Sequence, residues 1–182
     1  DSAVTILLED GIKKLKMDAV ATGAGIAKGT VYLYYKSKNA LLDAILDHAY
    51  LPLQKDLHRI ILSKDEPLEK LEQVILVCLQ HSEENKFLLK QLRTVLFATM
   101  DQRISDRNSW YWTIAGMLGE VLEEAASSGI LRSVNYVKIS ALFIDSINSL
   151  MAHRILSDVE ETIEQDVEEM LDLYLNGLKT EQ

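Results

Sequence analysis

The sequence has little proline, glycine or cysteine, with 2 Pro, 8 Gly and 1 Cys among 182 residues. Because proline and glycine interrupt helices, their scarcity beside abundant Leu, Ile, Ala, Glu and Lys predicts an all-α chain. The single cysteine, Cys78, excludes an internal disulfide and is typical of a reducing cytoplasm. No apolar run reaches the roughly 18 residues that a membrane span needs, and no signal peptide is recognisable. We therefore expect a cytoplasmic protein that does not span a membrane.

Sequence motifs of common enzyme and metal sites are also missing. There is no E-x-x-H of a di-iron bundle, no G-x-S-x-G nucleophile elbow and no H-E-x-x-H zinc motif. Cys78 and His81 lie three residues apart, a spacing that suits two metal ligands, but a zinc site needs a third. Packing in the core is the alternative for this pair. We expect no enzymatic activity, no cofactor and no metal site.

Charge is distributed unevenly along the chain, whose net charge is −9. Residues 1–50 carry six Lys and six acidic residues, whereas residues 51–182 carry 13 Lys or Arg and 22 acidic residues. No acidic residue occurs between Gly23 and Leu42. This pattern is compatible with a DNA-facing head on an acidic body.

Apolar residues recur with a helical period along the whole chain and predict about nine helices, three short ones followed by longer ones. The sequence begins inside the first of them, and we expect an amino-terminal arm in addition. Pro52 is expected to kink or end the fourth helix. The predicted helices cover residues 2–11, 16–25, 27–35, 37–50, 67–82, 85–100, 104–127, 134–156 and 160–178.

The stretch AGIAKGTVYLYYKSK, residues 24–38, has two possible interpretations. Gly23, Gly25 and Gly29 are spaced one residue away from the dinucleotide-binding fingerprint. That fingerprint requires a preceding β-strand, and the preceding KMDAVAT is helical in period. The glycines therefore do not indicate a phosphate-binding loop, and a short helix over 27–35 is the favoured interpretation.

Helical periodicity divides this short helix into two faces. Val31 and Tyr35 fall together and define an inward face. A merely solvated outward face would carry Glu, Lys and Gln, but this one is composed of Gly29, Thr30, Tyr32, Leu33 and Tyr34. Such a composition suits the major groove of DNA rather than water.

Each outward residue has a chemical role available in that groove. Gly29 lets the helix approach closely, Leu33 can contact a thymine methyl group, and Thr30 can bond a base edge or a phosphate. Tyrosine hydroxyls and lysine amines can bind phosphate oxygens on either wall. The predicted DNA-binding residues are Lys16, Lys28, Gly29, Thr30, Tyr32, Leu33, Tyr34 and Lys38.

The segment VATGAGIAKGTVYLYYKSKNALL resembles the helix-turn-helix of the tetracycline-repressor (TetR-like) family of bacterial transcriptional regulators. The family pattern runs roughly I-A-x-x-A-G-V-S-K-G-T-L-Y-x-Y-F-x-S-K-E-x-L. Three residues depart from it, since Ala27 replaces the usual capping Ser or Thr, Lys16 replaces another cap, and Asn39 replaces an acid. The resemblance covers about residues 1–48 and implies a three-helix DNA-binding domain.

For the rest of the chain, the resemblance implies a helical domain that binds a small-molecule effector and forms a homodimer. Large apolar residues of the middle helices are pocket candidates, with core packing as the alternative: Phe87, Phe97, Met100, Trp110, Trp112 and Met117. The last two helices carry wide apolar stripes that a two-fold four-helix interface would bury, with packing inside one chain as the alternative. The dimer candidates are Phe143, Ile147, Leu150, Met151, Met170, Leu171 and Tyr174.

The sequence thus predicts a DNA-binding domain over residues 1–48 and a regulatory domain over 49–182. The predicted function is that of a transcriptional regulator, a repressor released from a DNA operator by a small-molecule effector. The alternative is a helical bundle that binds small molecules or proteins and keeps a vestigial DNA-binding head.

Overall fold

The computed structural model describes residues 1–106, 109–157 and 160–178, without the side chains of 96–105 and 177–178. Within these ranges the chain forms nine α-helices and no strand, which confirms the predicted all-α class. None of the helices in the described part has both the length and the apolar character that crossing a bilayer requires. The helices are α1 (Ser2–Asp10), α2 (Met17–Ala24), α3 (Lys28–Tyr34), α4 (Lys38–Ile61), α5 (Pro67–Glu84), α6 (Lys86–Ser105), α7 (Trp110–Ser127), α8 (Tyr136–Leu156) and α9 (Ile163–Leu178).

The chain divides into two compact units. The first comprises Asp1–Pro52 together with Asn85–Asp101, and the second comprises Leu53–Glu84 and the described residues from Gln102 on. The first unit therefore holds the predicted helix-turn-helix and also most of α6. No motif or composition shift in the sequence had linked α6 to the three amino-terminal helices.

A left-handed glycine turn connects α2 to α3. Gly25 has φ +66°, a conformation that costs a residue with a Cβ free energy. Its N–H donates to the Thr22 carbonyl at 3.1 Å, and the Ile26 N–H donates to the Ala21 carbonyl at 3.0 Å. These two bonds form a Schellman motif, which ends α2 and reverses the chain within a few residues.

The first unit buries one apolar side chain after another along its helices. Leu7 of α1, Leu15 before α2 and Leu46 of α4 are almost completely buried. Val31 is the buried residue of α3, as predicted, while Tyr35 is only half-buried. The core also contains Leu89 and Leu92 of α6, both fully buried.

Two side chains hold the backbone N–H and carbonyl of Ile12 in the turn between α1 and α2. The Lys38 amine at the start of α4 donates to the Ile12 carbonyl at 2.6 Å. The Ile12 N–H in turn donates to the Gln91 side-chain oxygen of α6 at 3.4 Å. Both bonds lie in the first unit, and they tie the α1–α2 turn to two later helices.

Helix α4 does not end at Pro52, contrary to one of the two predicted outcomes. It runs through 24 residues from Lys38 to Ile61 with Pro52 inside it. A proline leaves the carbonyl four residues earlier without its helical donor. That residue is His48, which is exposed, as is Pro52, so water can satisfy the carbonyl.

The second unit packs α5 against α7, α8 and α9, and α7 against α8. Its most completely buried side chains include Ile75, Leu79, Leu118 and Phe143. Helix α7 starts at Trp110 rather than near residue 104, where the sequence predicted it. Helices α7 and α8 lie close together at Gly119, where an added Cβ would be in ordinary van der Waals contact, 3.8 Å from the Ser140 hydroxyl oxygen.

A buried arginine joins the end of α8 to α9. The Arg154 guanidinium donates to Asp166 at 2.6 Å and to the Glu161 carbonyl at 3.1 Å. Its Nε lies 3.5 Å from a carboxylate oxygen of Glu83 on α5. Because a buried cation needs such partners, Arg154 ties the end of α8 to Glu161 and to α9.

Two glycine substitutions separate the role of the turn from that of the helix that follows it. Gly25→Ala should lower the free energy of unfolding by about 1 kcal/mol, because alanine disfavours a positive φ. Gly29→Ala should leave stability unchanged or raise it by up to about 1 kcal/mol, because Gly29 is helical and a Cβ added there would meet nothing within 4 Å. Urea unfolding of the two variants and the parent measures both effects, and equal stability of the two would contradict the turn geometry.

Candidate nucleic-acid interface

Helix α3 presents nearly all of its side chains outward. Val31 is 3% exposed, whereas Leu33 is 68% and Tyr34 is 74% exposed. Gly29, Thr30 and Tyr32 are exposed as well, so the predicted outward residues all lie at the surface. A seven-residue helix that leaves a leucine and two tyrosines in solvent has a surface suited to a partner.

The glycine in this surface is not required by packing inside the chain. A Cβ built on Gly29 would meet nothing within 4 Å, and the residue has ordinary helical geometry. Glycine costs helix stability relative to alanine, so its presence gains nothing for the fold. It does leave a shallow place where a DNA backbone or base edge could approach α3.

Lys28, the first residue of α3, has two neighbours on the protein itself. Its amine lies 2.8 Å and 3.0 Å from the two carboxylate oxygens of Asp18 on α2. It also lies 5.9 Å from the centre of the Tyr32 ring, which suits a cation–π contact. The hydrogen bond and the charge of Asp18 raise the pKa of Lys28, so the amine stays protonated.

The other two predicted lysines differ in their surroundings. Lys16 is exposed at the start of α2, where its side chain makes no capping bond. Lys38 is half-buried, and its amine is engaged by the Ile12 carbonyl. Lys38 therefore supports the first unit from inside, and its predicted contact with a phosphate would require that bond to be shared or broken.

Asp18 is a residue of this surface that the sequence analysis missed. It lies ten positions before Lys28, and the pair forms only because the turn at Gly25 brings α2 and α3 together. A sequence signal was present, since Asp18 is the single acidic residue between Asp10 and Asp43.

The predicted effector-pocket residues do not form one group in the described part of the chain. Phe87 does not fit an enclosed pocket, because its side chain is 79% exposed at the start of α6. Phe97 and Met100 lie outside the residues whose side chains the structure describes. The remaining three are half-buried on α7: Trp110, Trp112 and Met117.

Aromatic residues do cluster on α7. The rings of Tyr111 and Trp112 meet edge to face with centroids 5.2 Å apart. Tyr111 is buried and donates its hydroxyl to Asp145 of α8 at 3.0 Å. Burial and this carboxylate together raise the pKa of Tyr111 to about 12. The arrangement holds the aromatic part of α7 against α8.

Two open grooves lie along α9 in the second unit. One, of 490 Å³, runs between α5 and α9 and includes Glu72, Leu76 and Leu171 in its lining. The other, of 360 Å³, runs between α8 and α9 and includes Ser149, Leu150 and Leu173. Of the predicted pocket residues whose side chains the structure describes, none lines either groove.

Four of the predicted dimer residues are already buried within one chain, which leaves them little surface for a subunit contact. Phe143, Ile147, Met151 and Met170 are each no more than 5% exposed. Phe143 packs edge to face on Tyr174 at 5.0 Å, and these residues fill the space among the helices of the second unit. The wide apolar stripes of α8 and α9 thus serve packing inside the chain.

The other three, Leu150, Leu171 and Tyr174, are half-buried and remain partly accessible. Exposed apolar residues of the two helices outside the predicted set include Val137 at 59% and Leu142 at 47% on α8, and Leu173 at 72% on α9. Leu173 shares its groove with Leu150.

The residues considered for metal binding belong to the core of the second unit. Cys78 and His81 are both buried on α5. Burial raises the pKa of Cys78 to about 12 and lowers the pKa of His81, so both are neutral at pH 7. Among the described residues no group of three or more potential ligands is close enough to hold a metal ion.

Comparison with known proteins places the helix-turn-helix in a family. The family model for bacterial regulatory proteins of the tetR family matches residues 1–45, which include all eight predicted DNA-binding residues. Over most of its length the chain is similar to two Bacillus subtilis (strain 168) proteins. An uncharacterized HTH-type transcriptional regulator, YvaF, is 26% identical over 172 residues, covering 91% of this chain and 86% of the relative. A fatty acid metabolism regulator protein is 24% identical over 182 residues, covering 98% and 92%.

Solved structures share the whole fold. The fatty acid degradation regulator FadR from Bacillus halodurans superposes with a TM-score of 0.68 at 17% identity, covering 98% of this chain and 97% of that one. The TM-score establishes a shared arrangement of helices, whereas an identity this low does not identify the ligand of this chain.

Leu33→Ala should change which DNA sequences the protein prefers more than how tightly it binds DNA overall. Removing an apolar contact to a base edge should reduce discrimination at one base pair by about 1 kcal/mol, roughly fivefold. Sequencing of DNA pools bound by the parent and the variant measures this change. Lys36→Gln is the control, because loss of an exposed charge should weaken binding to all sequences alike. A uniform loss for Leu33→Ala would contradict its placement in the groove.

Proposed function

We propose that this chain is a member of the tetR family of bacterial regulatory proteins, whose family model matches residues 1–45, and that it is a homodimeric repressor which a small-molecule effector releases from its operator. It is a DNA-binding transcriptional regulator and not an enzyme. The proposal assigns DNA binding to residues 1–48 and regulation to residues 49–182, in the cytoplasm. The observation that carries the DNA contact is the exposed face of α3, with Leu33 and Tyr34 in solvent and Gly29 open.

The proposed DNA contact divides its residues by chemistry. Leu33 and Thr30 face the bases, where a methyl group and a hydroxyl can read the major groove. Tyr32, Tyr34 and Lys28 face the phosphates on the two walls, which fixes the position of the helix without reading sequence.

A dimer would present two copies of α3 to one operator. Two recognition helices enter successive major grooves when they are about 34 Å or a multiple of this apart, so the operator should be roughly palindromic. The exposed apolar residues of α8 and α9, Leu142 and Leu173, with half-buried Leu150, are the proposed contact between subunits. Paired helices from two chains would form a four-helix interface.

The proposed effector is a fatty acid or a fatty acyl compound. This class is chosen because relatives of this chain are named as regulators of fatty acid metabolism and of fatty acid degradation. An acyl chain needs an apolar site, and the half-buried Trp110, Trp112 and Met117 of α7 are the candidate lining. Release from DNA requires the effector to prefer the conformation that binds DNA poorly, and a coupling of roughly 1–3 kcal/mol changes DNA affinity about 5–150-fold.

The test begins with selection of duplexes from a random pool by the purified protein, in salt high enough to suppress non-specific binding. The proposal expects a palindromic consensus. The selected duplex is then used to screen saturated and unsaturated fatty acids and their acyl derivatives for release. Recovery of no consensus would favour the vestigial-head alternative, and a consensus without any releasing compound would contradict the effector class.

Leu173→Glu should convert the dimer into a monomer with little change in folding, because the side chain is 72% exposed in one chain. A charge at this position would have to be buried in the interface without a partner. Sedimentation velocity measures the oligomeric state, and thermal unfolding checks the fold.

Leu62→Glu is the matched control, since Leu62 is 67% exposed and lies beyond the end of α4. It should remain dimeric. A dimer that persists in the Leu173 variant would exclude this part of α9 from the interface.

A further inference from the structure

The ion pair between Asp18 and Lys28 lies within the surface proposed to contact DNA. The two side chains are 65% and 58% exposed, and the amine is within 3.0 Å of both carboxylate oxygens. The same amine is the proposed phosphate contact at the start of α3. In the proposed complex one cation would therefore be shared between an acid of the protein and an acid of the DNA.

The composition around this pair makes the acid unusual. Between Asp10 and Asp43 the sequence holds six lysines and a single acidic residue, Asp18. A carboxylate in the first turn of α2 is favoured by the helix dipole, which accounts for an acid at this position. The dipole does not account for its direct pairing with Lys28.

We propose that Asp18 limits the affinity of the protein for DNA by competing with phosphate for Lys28. The proposal rests on the proposed contact of Lys28 with DNA and adds a residue that opposes it. Asp18 thereby sets how tightly the head holds any DNA, including sequences other than its operator.

Simple geometry shows why the two acids oppose each other. If Lys28 donates to Asp18 and to a phosphate oxygen at once, the two anions lie within about 6 Å of each other. This separation is shorter than the Debye length of about 10 Å at 0.1 M salt, so their repulsion is poorly screened. If Lys28 leaves Asp18 instead, the carboxylate loses its partner beside the DNA backbone. Either outcome offsets part of the attraction between Lys28 and the DNA phosphate.

Counterion release makes the competition measurable. A lysine that binds a DNA phosphate steepens the dependence of log K on log salt by about 0.9 unit. Lys28 paired with Asp18 forms a neutral group, so its net contribution to this slope should be small. Without the carboxylate, Lys28 should contribute in full.

The test uses Asp18→Asn, Lys28→Gln and the double variant of the full chain. Each protein is titrated into a labelled duplex of random sequence and into the selected duplex at several NaCl concentrations. Asp18→Asn should tighten binding about threefold per head at 0.1 M salt, about tenfold for a dimer, and steepen the slope by about one unit per head. In the Lys28→Gln background, adding Asp18→Asn should change the affinity for DNA less than about 1.5-fold.

Glu9→Gln is the control for net charge, because Glu9 is an exposed acid of the same unit at the end of α1. It should change affinity much less than Asp18→Asn does. Thermal unfolding of every variant shows whether a difference in binding reflects a difference in folding.

Two results would overturn the proposal while leaving the DNA-binding function intact. Weaker binding by Asp18→Asn would mean that the carboxylate only orients Lys28. An equal gain with and without Lys28 would mean that Asp18 repels DNA whether or not Lys28 holds a phosphate beside it. Failure of the parent protein to bind any duplex would overturn this proposal and the proposed function together.

Discussion

The orientation of the exposed face of α3, the surface proposed to contact DNA, depends on the burial of Val31. Helix α3 has seven residues and Val31 is the buried one, so this side chain determines which way the helix is turned. A helix this short is not stable by itself, since isolated helices under about 12 residues are marginal in water. The left-handed turn at Gly25 sets the direction in which the chain enters α3. With Val31 buried, the remaining side chains of α3, including Leu33 and Tyr34, are exposed to solvent. The exposed face follows from the position of one apolar contact.

The contribution of each charged side chain on this surface to stability depends on how far the side chain is exposed to water. An exposed ion pair adds little stability because water screens the charges, so the bond between Asp18 and Lys28 does little for the fold. In the proposal, this bond matters for DNA binding, because a DNA phosphate would compete with Asp18 for the Lys28 amine. Lys38 differs, because its amine is partly buried against the Ile12 carbonyl and is part of the structure of the first unit.

How well the sequence predicted a feature depends on how far apart in the sequence the residues that determine it lie. Helix count, the turn at Gly25 and the exposed face of α3 depend on neighbouring residues, and periodicity with turn chemistry was sufficient for them. The burial of Phe143 and the exposure of Phe87 depend on which helices pack together, and an apolar stripe does not say whether its partner is in the same chain. The sequence left open whether α4 ends or bends at Pro52, and the structure continues the helix through this residue.

The burial of Cys78 makes the native chain almost inert toward thiol reagents. Burial raises the pKa of Cys78 to about 12, so almost none of the thiol is ionised at neutral pH, and the side chain is enclosed as well. A cysteine introduced on an exposed residue would thus be labelled alone, without first removing the native one. Spin or fluorescent labels at such a position would give the separation of the two heads in a dimer, with and without ligand, directly in ångströms.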